Sequence, residues 1–125
     1  MQNQLNAVKE FHTAFKIGYQ TEPAVQLGEN KIQLRFNLMK EENEEYLEAA
    51  MNNDLVEVAD ALGDMLYILC GTIIEHGLQH KIEAVFEEIQ RSNMSKLGAD
   101  GKPIYREDGK VMKGPTILNL ILKKY

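Results

Sequence analysis

A chain of 125 residues and 14.2 kDa has room for one hydrophobic core rather than two, so residues 1–125 are expected to form a single domain. Its 44% hydrophobic and 26% charged residues are an ordinary globular mixture, and a net charge of −5 argues against general nucleic-acid binding. The longest apolar run, residues 65–74, falls short of the roughly 20 residues a membrane span needs, and the polar residues 2–6 are unlike a signal peptide, so a cytoplasmic chain with no membrane partner is expected.

Taken in chain order, Leu5, Val8, Phe11 or His12, and Phe15 recur at helical spacing over residues 4–17, with Gly18 as the stop. Pro23, with Thr21 before it as a cap, predicts the start of a second helix reaching Met51, weakened at Gly28. Along that helix Leu34, Leu38, Glu45 and Ala49 fall on one side. Asn52, Asn53 and Asp54 interrupt the pattern, and Asp54 is placed to cap a third helix from Leu55 to His76, ended by Gly77. Ile82, Val85, Phe86 and Ile89 predict a fourth helix over residues 79–95. Beyond Gly98 two Asp-Gly pairs flank Ile104 and Tyr105, which is turn chemistry for a small hairpin or ordered loop; residues 116–125 read as a short helix or an arm onto a neighbour. The expected fold is therefore all-α, a bundle of about four main helices with a small C-terminal hairpin or loop. Helices apolar on more than one side predict that a homodimer or homotetramer completes it.

Charge is placed unevenly. Residues 41–80 contain ten Asp and Glu and no Lys or Arg, whereas residues 91–125 carry eight basic residues against three acidic. The first half is suited to cations and the second to anions. Within the third helix Asp60 and Asp64 sit inside an apolar run, and Glu57, Asp60 and Asp64 share one stripe. On the second helix Glu41, Glu42 and Glu45 crowd one edge, with Glu42 and Glu45 continuing the apolar stripe of Leu38 and Ala49. Packed as an antiparallel hairpin, the two helices would turn carboxylates toward each other. Unpaired buried carboxylates cost several kcal/mol, so a cation is required. Hard oxygen donors from a helix pair suit Mg²⁺, with Mn²⁺ as a substitute. A Lys or Arg from the C-terminal segment pairing with Asp64 is the alternative. Glu44 and Glu48 fit an exposed, solvated face, and Glu57 also suits the positive end of its helix.

Other chemistries find less support. No His stands three residues after any Glu, as di-iron bundles need, and zinc-type Cys and His clusters are missing. The lone Cys70 reads as a small buried hydrophobe, and His12, beside Phe11 and Phe15, as a packed histidine. His12, Phe15 and Tyr19 also stand where they would border a base pocket.

The pattern Glu41-Glu42-x-x-Glu45, eleven residues, then Glu57-x-x-Asp60 resembles the signature of the MazG-like and phosphoribosyl-ATP pyrophosphohydrolase-like all-α nucleoside triphosphate pyrophosphohydrolases. The segments "EFHTAF", "LRFNLMKEENEEYLEA", "VADALGDMLYILCGT" and "NMSKLGADGKPIYREDGKVMKGP" extend the likeness over nearly the whole chain. The resemblance implies Mg²⁺-dependent hydrolysis of a nucleoside triphosphate between its α and β phosphates, in a nucleotide-pool cleaning role. It implies Glu42, Glu45, Glu57 and Asp60 as metal ligands, Glu41 as the residue that orients or deprotonates water, and Asn93 and Lys96 as contacts to substrate phosphates or sugar. Asp64, one turn beyond the motif, suits support of those ligands. Lys113, with Lys110 and Arg106, is a candidate for the phosphates on charge only, with simple surface solvation as the alternative. Two other readings stand beside this one: phosphoribosyl-ATP as substrate in histidine synthesis, and a non-catalytic helical module that holds a divalent ion.

Overall fold

The computed structural model describes residues 1–95 and Leu122. Among them lie four α-helices and no strand: α1 (Gln2–Ala14), α2 (Glu29–Met51), α3 (Leu55–Glu75) and α4 (Ile82–Met94). The all-α expectation is met. The chain divides into two compact units, residues 1–79 and 80–125, so α1 to α3 belong to the first and α4 to the second.

In the first unit α3 is the central element and packs against both α2 and α1. Its sequence explains why: among the three helices it alone buries an extended series, Ala61, Cys70, Gly71, Ile73, Ile74 and Glu75. From α1 come Leu5, Val8 and His12, spaced three and four apart so that they share a face. Only Ala49 of α2 is fully buried. Cys70 is completely enclosed, and burial pushes its thiol above the ordinary range, which suits a packed, unreactive side chain.

The turn between α2 and α3 follows the sequence closely. Asn52 closes α2, Asn53 takes the left-handed conformation (φ 56°), and the Asp54 carboxylate accepts the Glu57 backbone N–H at 3.2 Å to cap α3. Three residues between helices force an antiparallel pair. At its far end α3 finishes with His76 as the cap residue and Gly77 at φ 67°, where a Cβ would collide with the Glu22 carbonyl.

Two boundaries differ from expectation. The first helix stops at Ala14 instead of Ile17, because Lys16 turns left-handed (φ 56°) before Gly18 is reached. The second begins at Glu29, not near Pro23, with Gly28 at φ 88° as its cap residue. Within residues 15–28, two backbone groups are spent on the end of α3 instead: Gln20 N–H donates to the Ile74 carbonyl at 3.0 Å and Ala24 N–H to the His76 carbonyl at 2.9 Å. His76 Nδ1 bonds the Ala24 carbonyl in turn, at 2.8 Å. A helix started at Pro23 would forfeit these.

In the second unit, α4 starts at Ile82 instead of Gln79, and its Glu88 and Arg91 form a two-pronged ion pair at 2.6 and 2.9 Å. The expected hairpin and the terminal segment lie outside the described residues. No helix among the described residues is long and apolar enough to cross a membrane.

Candidate metal centre

The site is a property of the α2 and α3 pairing. α2 carries Glu41, Glu42 and Glu45, and α3 carries Glu57, Asp60 and Asp64. Oxygens of Glu42, Glu45 and Asp64 all lie within 4.8 Å of one another. That span matches oxygens sharing one divalent ion at about 2.0–2.6 Å each. Glu42 is half-buried, and its Oε2 is enclosed with no hydrogen-bond partner. A buried carboxylate oxygen left in that condition is costly, and a hard cation would satisfy it.

The electrostatics point the same way. Desolvation, then a hydrogen bond with Glu45, then the charges of Glu45, Asp64 and Asp60 push the Glu42 carboxyl up to about 7. Among the described residues no Lys or Arg forms an ion pair with Glu42, Glu45, Asp60 or Asp64. The suggested C-terminal cation for Asp64 falls outside those residues. All three members of the group are carboxylates, hard oxygen donors of the kind a divalent cation accepts.

The sequence-predicted residues are distributed unequally around this point. Glu42 and Glu45 converge with Asp64, while Asp60 is near enough to raise the Glu42 carboxyl through its charge. Glu57 stands further along, lining an adjoining cleft with Glu45, Glu48, Ala49, Asn52 and Asp54. Antiparallel register is the reason: as α2 advances from Glu42 toward Ala49, α3 runs back from Asp64 toward Glu57. Glu41 is exposed on α2 beside Glu42. Asn93 is exposed on α4, in the second unit. Lys96, Arg106, Lys110 and Lys113 lie outside the described residues.

Sequence reasoning missed a second polar group on the same helix pair. Glu75, 1% exposed, receives Lys31 at 3.1 Å and Arg35 at 2.9 Å. Arg35 also donates from Nε to the Thr72 hydroxyl at 3.0 Å and from Nη2 to the Ile68 carbonyl at 2.7 Å. Burial draws the Arg35 guanidinium below its ordinary range, and Glu75 opposes the shift. Gly71 makes room: a Cβ there would stand 2.5 Å from Arg35 Nη2 and 2.9 Å from His12 Nε2. The signal was available, since Glu75 ends an apolar run and Arg35 stands two turns before Glu42.

His12 is 3% exposed, and its Nδ1 bonds the Gly18 carbonyl at 2.9 Å, the packed role expected for it. Phe11, Phe15 and Tyr67 cluster nearby, with ring centroids 4.5 Å apart for the two phenylalanines and 5.7 Å for Phe11 and Tyr67. Lys9 lies over the Tyr19 ring, 5.2 Å from its centroid.

An uncharacterized protein of Acanthamoeba polyphaga mimivirus is 33% identical over 66 residues, which cover 53% of this chain and 26% of that protein. The chain thus matches about a quarter of the length of that relative. The family model described as phosphoribosyl-ATP pyrophosphohydrolase matches residues 8–93, a stretch that takes in both acid-bearing helices. By that match the chain belongs to the phosphoribosyl-ATP pyrophosphohydrolase family, within the MazG-like all-α nucleoside triphosphate pyrophosphohydrolase superfamily.

Proposed function

We propose that the chain is a Mg²⁺-dependent nucleoside triphosphate pyrophosphohydrolase that cleaves between the α and β phosphates, acting in the cytoplasm to clean the nucleotide pool. The observation that carries this reading is the convergence of Glu42, Glu45 and Asp64, with a buried oxygen of Glu42 left unpartnered, in a chain of a pyrophosphohydrolase family. Residues 1–125 are taken to act as one catalytic domain.

In this reading Glu42, Glu45, Asp60 and Asp64 hold the metal, and Glu57 joins them from the adjoining cleft. A divalent ion held by these residues would supply positive charge to the phosphate oxygens and so favour attack by water. Phosphoryl chemistry asks little else of a protein than positioning and charge. Glu41 takes a proton from the water as its oxygen attacks phosphorus beside the α–β bridge. The bridging P–O bond breaks, and its electron pair leaves with pyrophosphate. Asn93, Lys96 and Lys113 contact the phosphates or sugar. The basic character of residues 91–125 supports the anionic half of this scheme.

A homodimer is proposed, with a homotetramer as the next assembly. Leu47, Met51, Leu55, Val56, Leu62 and Leu66 of α2 and α3 are between 45% and 79% exposed. A run of that kind marks an interaction face.

The test is pyrophosphate release across a panel of canonical and damaged nucleotides, with and without Mg²⁺. The expected result is Mg²⁺-dependent pyrophosphate, not single phosphate, from at least one of them. Glu42→Gln and Asp60→Asn should each lower turnover by at least about a hundredfold with helix content retained. Unchanged turnover in both variants refutes the site. Mg²⁺ stabilisation with no turnover on any nucleotide would favour a non-catalytic metal-binding module. The description of the matching family favours one further substrate, phosphoribosyl-ATP. Rescue of a histidine auxotroph lacking that step would assign it.

A further inference from the structure

We propose that Arg35 is a positioning residue for the metal centre, a clamp that fixes the register of α2 against α3 so that Glu42 and Glu45 meet Asp64. The inference rests on the metal-dependent reading above and adds a residue that the reading does not use.

One helix pair carries both groups. On α2, Lys31, Arg35, Glu42 and Glu45 are spaced four, seven and three apart, so they share one stripe. On α3, Asp64, Ile68, Thr72 and Glu75 are spaced four, four and three apart and do the same. At one end of the interface unlike charges meet, Lys31 and Arg35 against Glu75. At the other end like charges meet, Glu42 and Glu45 against Asp64. The two ends push in opposite senses. Carboxylate repulsion drives the helices apart at the acidic end, whereas the clamp holds them together about 10 Å away along α2.

The clamp is also directional, which a plain ion pair is not. Arg35 donates two hydrogen bonds to α3, from Nε to Thr72 Oγ1 and from Nη2 to the Ile68 carbonyl, while its Nη1 stands 2.9 Å from Glu75 Oε2 as an ion pair. A planar fork hydrogen-bonded at two points and held by charge at a third resists both sliding and rotation of α2. The Ile68 carbonyl that receives it lies one turn from Asp64. Thr72 is itself locked, its hydroxyl donating to the same Ile68 carbonyl at 2.9 Å. Gly71 leaves the space through which the guanidinium reaches α3. A shift of 1 Å at the carboxylates is enough to spoil a coordination site, so a register device this close governs metal affinity.

The test uses Mn²⁺ alone as probe, its free concentration read by electron paramagnetic resonance, on the full chain and on Arg35→Gln, Arg35→Lys and Val8→Ala. Each is also melted in EDTA. Val8 is a buried residue of α1, on neither of the two acid-bearing helices, and its variant reports what loss of stability alone does. The expected result is a dissociation constant raised at least about tenfold in Arg35→Gln and partly restored in Arg35→Lys, with Val8→Ala within about twofold of the parent despite a comparable fall in Tm. Arg35→Gln binding Mn²⁺ as tightly as Val8→Ala overturns the proposal. Should Arg35→Gln not fold, Arg35→Lys decides: weaker binding than the parent supports the clamp, and parent-like binding overturns it. A parent chain that binds no Mn²⁺ removes the metal reading itself, and the clamp proposal with it.

Discussion

Gly71 illustrates how a single missing side chain holds this molecule together. A methyl group at that position would stand 2.5 Å from Arg35 Nη2 and 2.9 Å from His12 Nε2, both held in place by other bonds. Gly71→Ala gains helix propensity but must displace one of them, and overpacking of that kind costs about 1–3 kcal/mol. Thermal denaturation in EDTA should therefore show a lower Tm for Gly71→Ala than for the parent. Glu42 gives a prediction in pH. Its carboxyl is pushed up to about 7, first by desolvation and then by its acidic neighbours. Between the ordinary carboxylate range and about 7 the folded protein keeps a proton that the unfolded chain has released. Metal-free stability must then fall as pH rises through that window. In EDTA the Tm should be lower at about pH 8 than at about pH 5.5, and Glu42→Gln should flatten the difference. Added Mg²⁺ should restore Tm most strongly at the higher pH, because the Glu42 carboxyl is deprotonated there.

At the scale of elements, the α2 to α3 connection was the part most legible in the sequence. Asp54 announces itself as a cap by chemistry and position, and the structure has its carboxylate on the Glu57 N–H. Asp54→Ala should cost about 1 kcal/mol, seen as a lower Tm by circular dichroism. The helix starts were less legible where tertiary contacts outweigh local preference. Pro23 carries a good local signal for a helix start, yet Gln20 and Ala24 on either side of it bond the end of α3 and α2 waits for Gly28. The acids were legible as a group because like charges at helical spacing need an external reason. Which carboxylates stand face to face was less so. Spacing on each helix says which residues share a side, whereas register between helices comes from Arg35, Thr72 and Glu75, which sit outside the acidic pattern. Hence Asp64, expected to support the ligands, converges with Glu42 and Glu45, while Glu57 lines the neighbouring cleft.

For the whole molecule, the apolar residues left open on α2 and α3 carry the expectation of a second copy. Light scattering should give a mass of at least twice 14.2 kDa, and Leu62→Asp with Leu66→Asp should shift it toward the single chain. A parent chain that stays at one copy at micromolar concentration would contradict that assembly. In the function proposed here, acids from two adjoining helices face each other because a divalent ion belongs between them. Crystals grown with Mn²⁺ and diffracted near its absorption edge test this directly. An anomalous peak is expected within bonding distance of Glu42, Glu45 and Asp64. A map with no peak there, or with the metal bound only in the cleft of Glu48, Asp54 and Glu57, would contradict it.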